Sequence, residues 1–244
     1  MVDLGTGLRP LGHDLEARAR PGKAVELTAL LSHLHWDHIF GLPFFTPLLR
    51  EGGRIEVYGP PQDAAFLHDV IDTVVKPPFF PVTMKELRGV IDFREVADDE
   101  LSIGSAKVKI RLVPHLGTTL GFRIEGDGAS MAFVCDHQAP DDGSSVAPNV
   151  LELCDGVDLV VHDAQYTERE YQAKSDWGHS TISYAAHVAA EAGAGTLALF
   201  HHDPTRTDQE LDVLLAEARE SPEAGRLEEV IAAAERLVLD LGCP

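Results

Sequence analysis

Cysteine is scarce in this chain. Cys135, Cys154 and Cys243 are the only three in 244 residues, an odd number with no CxxC pair. That excludes a disulfide framework and a thiolate zinc cluster, and it points to a reducing, cytoplasmic setting. Long apolar runs are missing too, so no bilayer span is expected, and the first residues carry no signal-peptide pattern. Internal repeats and low-complexity stretches are absent. Basic residues are few: 20 Lys and Arg stand against 40 Asp and Glu, a net charge of −20. Such a surface repels phosphate backbones and anionic lipid, so neither general nucleic-acid binding nor a membrane partner is expected. A small-molecule or nucleotide substrate is the partner this composition allows, and a homodimer stays open.

Histidine is what the chain has in excess. There are twelve, and they cluster. In "SHLHWDHIFGLPFF" (32–45), His33, His35, Asp37 and His38 fall within six positions. On an extended backbone His33 and His35 point the same way and reach one ion. Asp37 and His38 are adjacent, diverge, and suit a second ion beside the first. Imidazole with carboxylate suits zinc, manganese or iron. The bland alternative is a polar surface cluster. Apolar sequence flanks it on both sides, however, and burying such groups unpaired costs roughly 2–7 kcal/mol each. Ligation is the better account.

The rest of the chain alternates strands and helices, as one α/β domain of this length does. Strands are expected at 24–32, 54–59, 90–96, 107–113, 120–126, 131–136, 157–163 and 196–203. Helices are expected at 61–75, near 146–154, and at 180–193, 207–220 and 223–237. The 39–49 stretch, broken by Gly41, Pro43 and Pro47, suits only a short helix or turn. One regularity stands out: apolar strands end in His or Asp, as in "KIRLVPH", "AFVCD", "LVVHD" and "LALFHHD". In layered α/β folds sites assemble at strand ends.

An HxHxDH motif, a distant His, an Asp after an apolar strand and a late His together resemble the metallo-β-lactamase fold hydrolases. The resemblance runs over nearly the whole chain and is strongest to the branch of RNase Z-type endonucleases and phosphodiesterases. "CDH" (135–137), "HDAQ" (162–165), "HST" (179–181) and "LFH" (199–201) stand in the order of that branch's motifs. The resemblance implies a single four-layer αββα sandwich domain over residues 1–244, lacking the usual N-terminal strand pair. "MVDLGTGLRP" would then be the glycine-rich turn that follows an early strand. It also implies two divalent ions, zinc by preference with manganese or iron as substitutes. His33, His35 and His115 would hold one ion, Asp37, His38 and His201 the other, and Asp136 would bridge both. A metal-bridging hydroxide would be the nucleophile. Asp37, His179 and Asp163 are the catalytic candidates, with His179 protonating the leaving oxygen while Asp163 holds it. "FHHD" offers two imidazoles on opposite faces of a strand, and the motif match selects His201 over His202. His137 and His162 are expected to support ligands rather than to be ligands. His13, His68 and His187 are expected at the surface or in the core, and Cys135 is expected to be a buried small hydrophobe.

The expected function is a binuclear metal-dependent phosphodiesterase acting on a small or nucleotide-like phosphodiester. Only 21 residues separate His115 from Asp136, too few for the substrate-gripping insertion that tRNA-processing members carry there. Rings in "GLPFF" and "PPFF" would either stack on a planar group of the substrate or pack the core. The alternative is a carboxylic ester, lactone or thioester hydrolase on the same centre. A redox di-iron protein is disfavoured because His35 stands where that branch has a glutamate. A non-catalytic module is disfavoured because all seven ligands are present.

Overall fold

The computed structural model describes residues 1–20, 22–140 and 142–242, so Cys243 lies outside the described residues. The chain divides into two compact units, Met1–Ala97 and Asp98–Pro244.

The first unit holds α1 (Leu8–Arg18), β1 (Glu26–Leu30), α2 (Trp36–Ile39), β2 (Arg54–Gly59), α3 (Leu67–Asp72) and β3 (Val90–Glu95). Its three strands form a parallel sheet in the order β1-β2-β3. Leu4, Leu31, Leu42, Phe45, Ile55 and Val57 are among its buried core. The turn expected at the start of the chain continues into α1, which tolerates Pro10 because a first-turn proline sacrifices no helical hydrogen bond. The helix expected over 61–75 is shorter. It begins at Leu67, whose N–H is taken by Glu95 Oε1 at 2.7 Å, and residues 61–66 lie outside it.

The second unit holds β4 (Glu100–Ile103), β5 (Ala106–Leu112), β6 (Leu120–Gly126), β7 (Ala129–Val134), α4 (Pro148–Cys154), β8 (Leu159–Asp163), α5 (Glu168–Tyr171), α6 (Ile182–Glu191), β9 (Thr196–Phe200), α7 (Asp208–Arg219) and β10 (Glu229–Ala232). Its seven-stranded sheet has the order β10-β9-β8-β7-β6-β5-β4. The helix expected over 223–237 is absent. β10 occupies its centre, pairs parallel to β9, and buries Val230 and Ile231. Helix-forming residues become a strand here because the open edge of β9 offers both a ladder and an apolar face.

Strand direction explains why the polar strand ends meet. β7, β8 and β9 run parallel, and β5 reaches β7 through two antiparallel pairings. All four therefore run the same way, and their C-terminal ends share one edge of the sheet. Those ends carry His115, Asp136, Asp163 and His201.

Candidate metal centre

In the first unit the chain leaves β1 at Leu30 and delivers Ser32 and His33 from the core. The His33 ring lies 4.4 Å from that of His35 and 4.1 Å from that of His38, centroid to centroid. His33 and His38 are buried, whereas His35 and Asp37 are exposed. Asp3 fixes this group: its Oδ2 accepts from His38 Nδ1 at 2.7 Å and its Oδ1 from the Ser32 N–H at 2.7 Å. A carboxylate only accepts, so His38 carries its proton on Nδ1 and its lone pair on Nε2. That Nε2 lies 3.2 Å from Asp37 Oδ2. The strand-end segment bearing Asp3 must come close to do this. A Cβ on Gly5 would lie 2.5 Å from the Asp37 carbonyl oxygen, and the Gly41 N–H donates to Leu4 O at 2.8 Å.

In the second unit the same pattern recurs. His115 Nδ1 donates to the Gly178 carbonyl at 2.6 Å, which leaves the lone pair on Nε2. Nε2 lies 3.6 Å from Asp136 Oδ2, and His201 Nε2 lies 3.2 Å from Asp136 Oδ1. Ligand atoms of Asp136, Asp163, His179 and His201 all fall within 4.8 Å of one another. Asp136, His201 and Asp3 adopt φ of 51°, 54° and 56°, the left-handed region that costs non-glycine residues energy. In the second unit this strain falls on two residues of the group just described, and in the first unit on the residue that fixes His38.

These contacts also test whether a cation fits. In each unit an imidazole lone pair, fixed by the donor on its other nitrogen, faces a carboxylate oxygen. At 3.2 Å, as between His38 and Asp37 and between His201 and Asp136, two acceptors meet only with a proton or a cation between them, whereas His115 stands 3.6 Å from Asp136; this donor set is one that divalent ions take.

His179 sits beside this group because the segment before α6 bridges to Tyr166: the Tyr166 N–H donates to Ser180 O at 3.1 Å. Its Nδ1–H donates to Asp163 Oδ2 at 2.8 Å, and its ring stacks 4.9 Å from His201. Asp163 is fully buried and also accepts from the N–H groups of His137 and Gln165, each at 3.1 Å. Burial holds His137 well below the usual imidazole range and lowers His162 as well, so both are neutral. Their tautomers follow: His137 Nδ1–H donates to His162 Nε2 at 3.1 Å, and His162 Nδ1–H to Asp163 O at 2.7 Å. Burial also pushes the Tyr166 phenol, edge-on to His179, up to about 12.

His202 is not on a strand, contrary to expectation. β9 ends at Phe200, His201 turns into the left-handed region, and His202 donates from Nε2 to Ala233 O at 3.2 Å. The Cys135 thiol is buried and donates to Asp136 Oδ1 at 2.9 Å. His13 is exposed, and His68 and His187 are half-buried. Asp3 and Gly178 escaped the reading of the sequence. A lone Asp near the start offers no signal of a contact 35 residues away. Gly178 has φ +86°, and a Cβ on it would lie 2.6 Å from His115 Nδ1.

Comparison with known proteins bears on the family and the fold. A family model described as "Beta-lactamase superfamily domain" matches residues 2–202. A ribonuclease Z from Porphyromonas gingivalis is 24% identical over 289 residues, covering 99% of this chain and 89% of its own. A ribonuclease Z from a Synechococcus strain is 25% identical over 224 residues, covering 71% and 67%. Human tRNase Z, short form, aligns with a TM-score of 0.68 at 20% identity, over 99% of this chain and 88% of that one. A diphosphatase from the PhnP family gives 0.66 at 20% identity, over 98% and 78%. A metallo-β-lactamase fold protein from Bacillus subtilis gives 0.65 at 20% identity, over 95% and 82%. The fold is therefore the α/β metallo-β-lactamase fold.

The relatives correct one expectation. Net charge argued against nucleic acid as a partner, yet the curated relatives are ribonucleases. The argument failed because net charge averages over the chain. Residues 1–97 carry 10 basic and 13 acidic residues, whereas residues 98–244 carry 10 and 27. Most of the negative charge belongs to the second unit, and the first is close to neutral. No helix among the described residues is long and apolar enough to cross a membrane.

Proposed function

Because the chain belongs to the beta-lactamase superfamily domain family, we propose that this metal-dependent hydrolase is a phosphodiesterase acting on nucleotide-containing phosphodiesters, RNA among them. The observation that carries the reading is the His179–Asp163 pair. Asp163 orients the imidazole through Nδ1–H, so Nε2 is the atom that hands a proton to the departing alkoxide. Alkoxides leave poorly without a proton, and general acid catalysis contributes typically about 10²- to 10⁴-fold. The ribonuclease Z relatives and the diphosphatase neighbour point to the same reaction class.

His33, His35 and His115 would hold one divalent ion, Asp37, His38 and His201 a second, with Asp136 shared. The paired lone-pair contacts in each unit support that assignment. When bound, two such ions activate water at neutral pH and neutralise charge on the phosphoryl oxygens. The chain's own residues do the rest. Asp3 and the Gly178 carbonyl fix the tautomers of His38 and His115 and so aim their lone pairs. Zinc is the ion we propose, since imidazole and carboxylate are its ordinary ligands. The free thiols of Cys135 and Cys154 suit a reducing compartment and support a cytoplasmic site of action.

A panel of bis(4-nitrophenyl) phosphate, cyclic nucleotides and short RNA, run beside lactones and thioesters, tests the proposal. Turnover of the diesters is expected, and turnover of the acyl substrates alone would overturn it.

A further inference from the structure

Trp36, Phe40 and Phe44 recur every four residues from inside the histidine motif. That spacing places them on one helical face, and the chain keeps it through α2 and the following helical turn at Leu42–Phe44. The opposite face is spent on the core: Ile39, Leu42 and Phe45 are buried. The aromatic face is not. Trp36 is 55% exposed, Phe40 47% and Phe44 42%. Their rings form a continuous row, with centroids 5.4 Å apart from Trp36 to Phe40 and 6.4 Å from Phe40 to Phe44. Phe80 extends it, 5.7 Å from Phe44 and edge-on. Core packing therefore does not account for these rings, although it does account for Phe45.

Phe80 belongs to "KPPFFPVTMKELR" (76–88), a stretch of net positive charge in the first unit. It holds Lys76, Lys85 and Arg88 against the single acid Glu86. All three cations are exposed, and their side chains make no hydrogen bond or ion pair among the described residues. Phe79 in the same stretch is 69% exposed. Glu86 is exposed too, but its carboxylate is engaged locally, accepting from the N–H and hydroxyl of Thr83 at 2.8 Å each. The segment thus offers uncommitted positive charge beside exposed rings.

Rings interleaved with cations are the chemistry that binds single-stranded nucleic acid, because every base has a π-face and every linkage a negative charge. We propose that the Trp36–Phe40–Phe44–Phe80 row, with Lys76, Lys85 and Arg88, is a stacking site for unpaired bases of an RNA strand whose phosphodiester lies at the histidine motif. The inference rests on the phosphodiesterase reading. The rings touch one another, so a base lies on their outer faces and does not slide between them. Trp36 sits between the candidate ligands His35 and Asp37, so a base on its ring is held within one nucleotide of the chemistry. The strand is anchored on the nearly neutral unit, which is how a chain of net charge −20 accepts a polyanion.

Trp177→Phe leaves Trp36 as the single tryptophan. In that protein we expect a phosphorothioate heptanucleotide RNA to quench Trp36 emission, and an abasic strand of equal length not to. Phe40→Leu and Phe44→Leu keep apolar cover but lose the π-face, and each should weaken binding about tenfold, the usual size of one base–aromatic stack. Lys85→Glu with Arg88→Glu should weaken binding and flatten its salt dependence. Equal binding and quenching by abasic and normal strands would overturn the proposal. So would absence of quenching together with concentration-dependent dimers that the Phe40→Leu change abolishes, since the row would then seat a second copy. Hydrolysis of bis(4-nitrophenyl) phosphate by the same preparation separates the two readings. Diester turnover without base-dependent quenching removes only the stacking site, whereas quenching without diester turnover removes the phosphodiesterase and with it the placement of the strand's phosphodiester at the histidine motif, leaving a base-binding row alone.

Discussion

Replacing Asp163 by Asn is the sharpest single perturbation of the proton-transfer apparatus. The carboxylate is fully buried and accepts three hydrogen bonds: from the His137 N–H and His179 Nδ1–H on Oδ2, and from the Gln165 N–H on Oδ1. An amide is nearly isosteric but has one acceptor oxygen. With that oxygen at the Oδ2 position its NH₂ faces the Gln165 N–H, and one buried donor loses its partner. That costs about 1–3 kcal/mol, a fall in Tm of roughly 2–10 °C for a chain of this size. With the amide reversed, the NH₂ instead turns His179 to the other tautomer, with the proton on Nε2 and Nδ1 as acceptor. In either orientation the charge that stabilises a protonated His179 is gone. A substrate with an alkoxide leaving group should then slow by about 10²- to 10⁴-fold. Bis(4-nitrophenyl) phosphate, whose phenolate departs unprotonated, should lose far less. The assay is kcat/KM for both substrates on protein shown to be folded by thermal melting. Equal losses on the two would refute the general-acid role and leave Asp163 a purely structural group.

Three further outcomes follow from the geometry. Gly178→Ala places a methyl against His115 Nδ1 in a backbone conformation alanine adopts poorly, so divalent-ion affinity should drop by about 10- to 100-fold in a chelator competition; unchanged affinity would remove the Gly178 carbonyl from the account. Asp3→Asn releases His38 from its fixed tautomer, and a similar drop in affinity should accompany a fold that melts cooperatively. Asp203, held at about 2 first by the Thr205 hydroxyl and further by Lys174, has a folded pKa below its unfolded one. Its contribution to stability is therefore present above about pH 4 and lost as pH falls toward 2. It amounts to about 2 kcal/mol at most, and Asp203→Asn should flatten that part of the acid-unfolding profile.

What could be read from the sequence was governed by the range of the interactions involved. His33, His35, Asp37 and His38 announce themselves as a cluster between apolar segments, although the cost of burial without a partner falls only on His33 and His38, since His35 and Asp37 are exposed. His115, Asp136, Asp163 and His201 were legible as a series because each follows an apolar strand, and parallel strands bring such ends to one edge. Asp3 and Gly178 were not, since their value lies in contacts across 35 and 63 residues that no local pattern encodes. The segment 223–237 failed for a related reason. Its Ala, Glu, Leu and Arg favour a helix, but the open edge of β9 decides otherwise. α1 was hidden by Pro10 and Gly12, two residues that usually end helices. Here the proline sits in the first turn, and the glycine lies where a Cβ would come within 2.9 Å of Phe45. The charge argument failed because a sum over the whole chain conceals that its first 97 residues are nearly neutral.

The central claim is that divalent ions held by these His and Asp side chains make the chain a phosphodiesterase. It is tested most directly by stripping the protein with a chelator, refilling it with zinc, and following hydrolysis of a phosphodiester against ions bound per chain, with Asp136→Ala alongside. The account predicts that turnover vanishes on stripping, returns as two ions bind, and does not return in Asp136→Ala. Turnover that survives stripping, or that returns in full without Asp136, would contradict it.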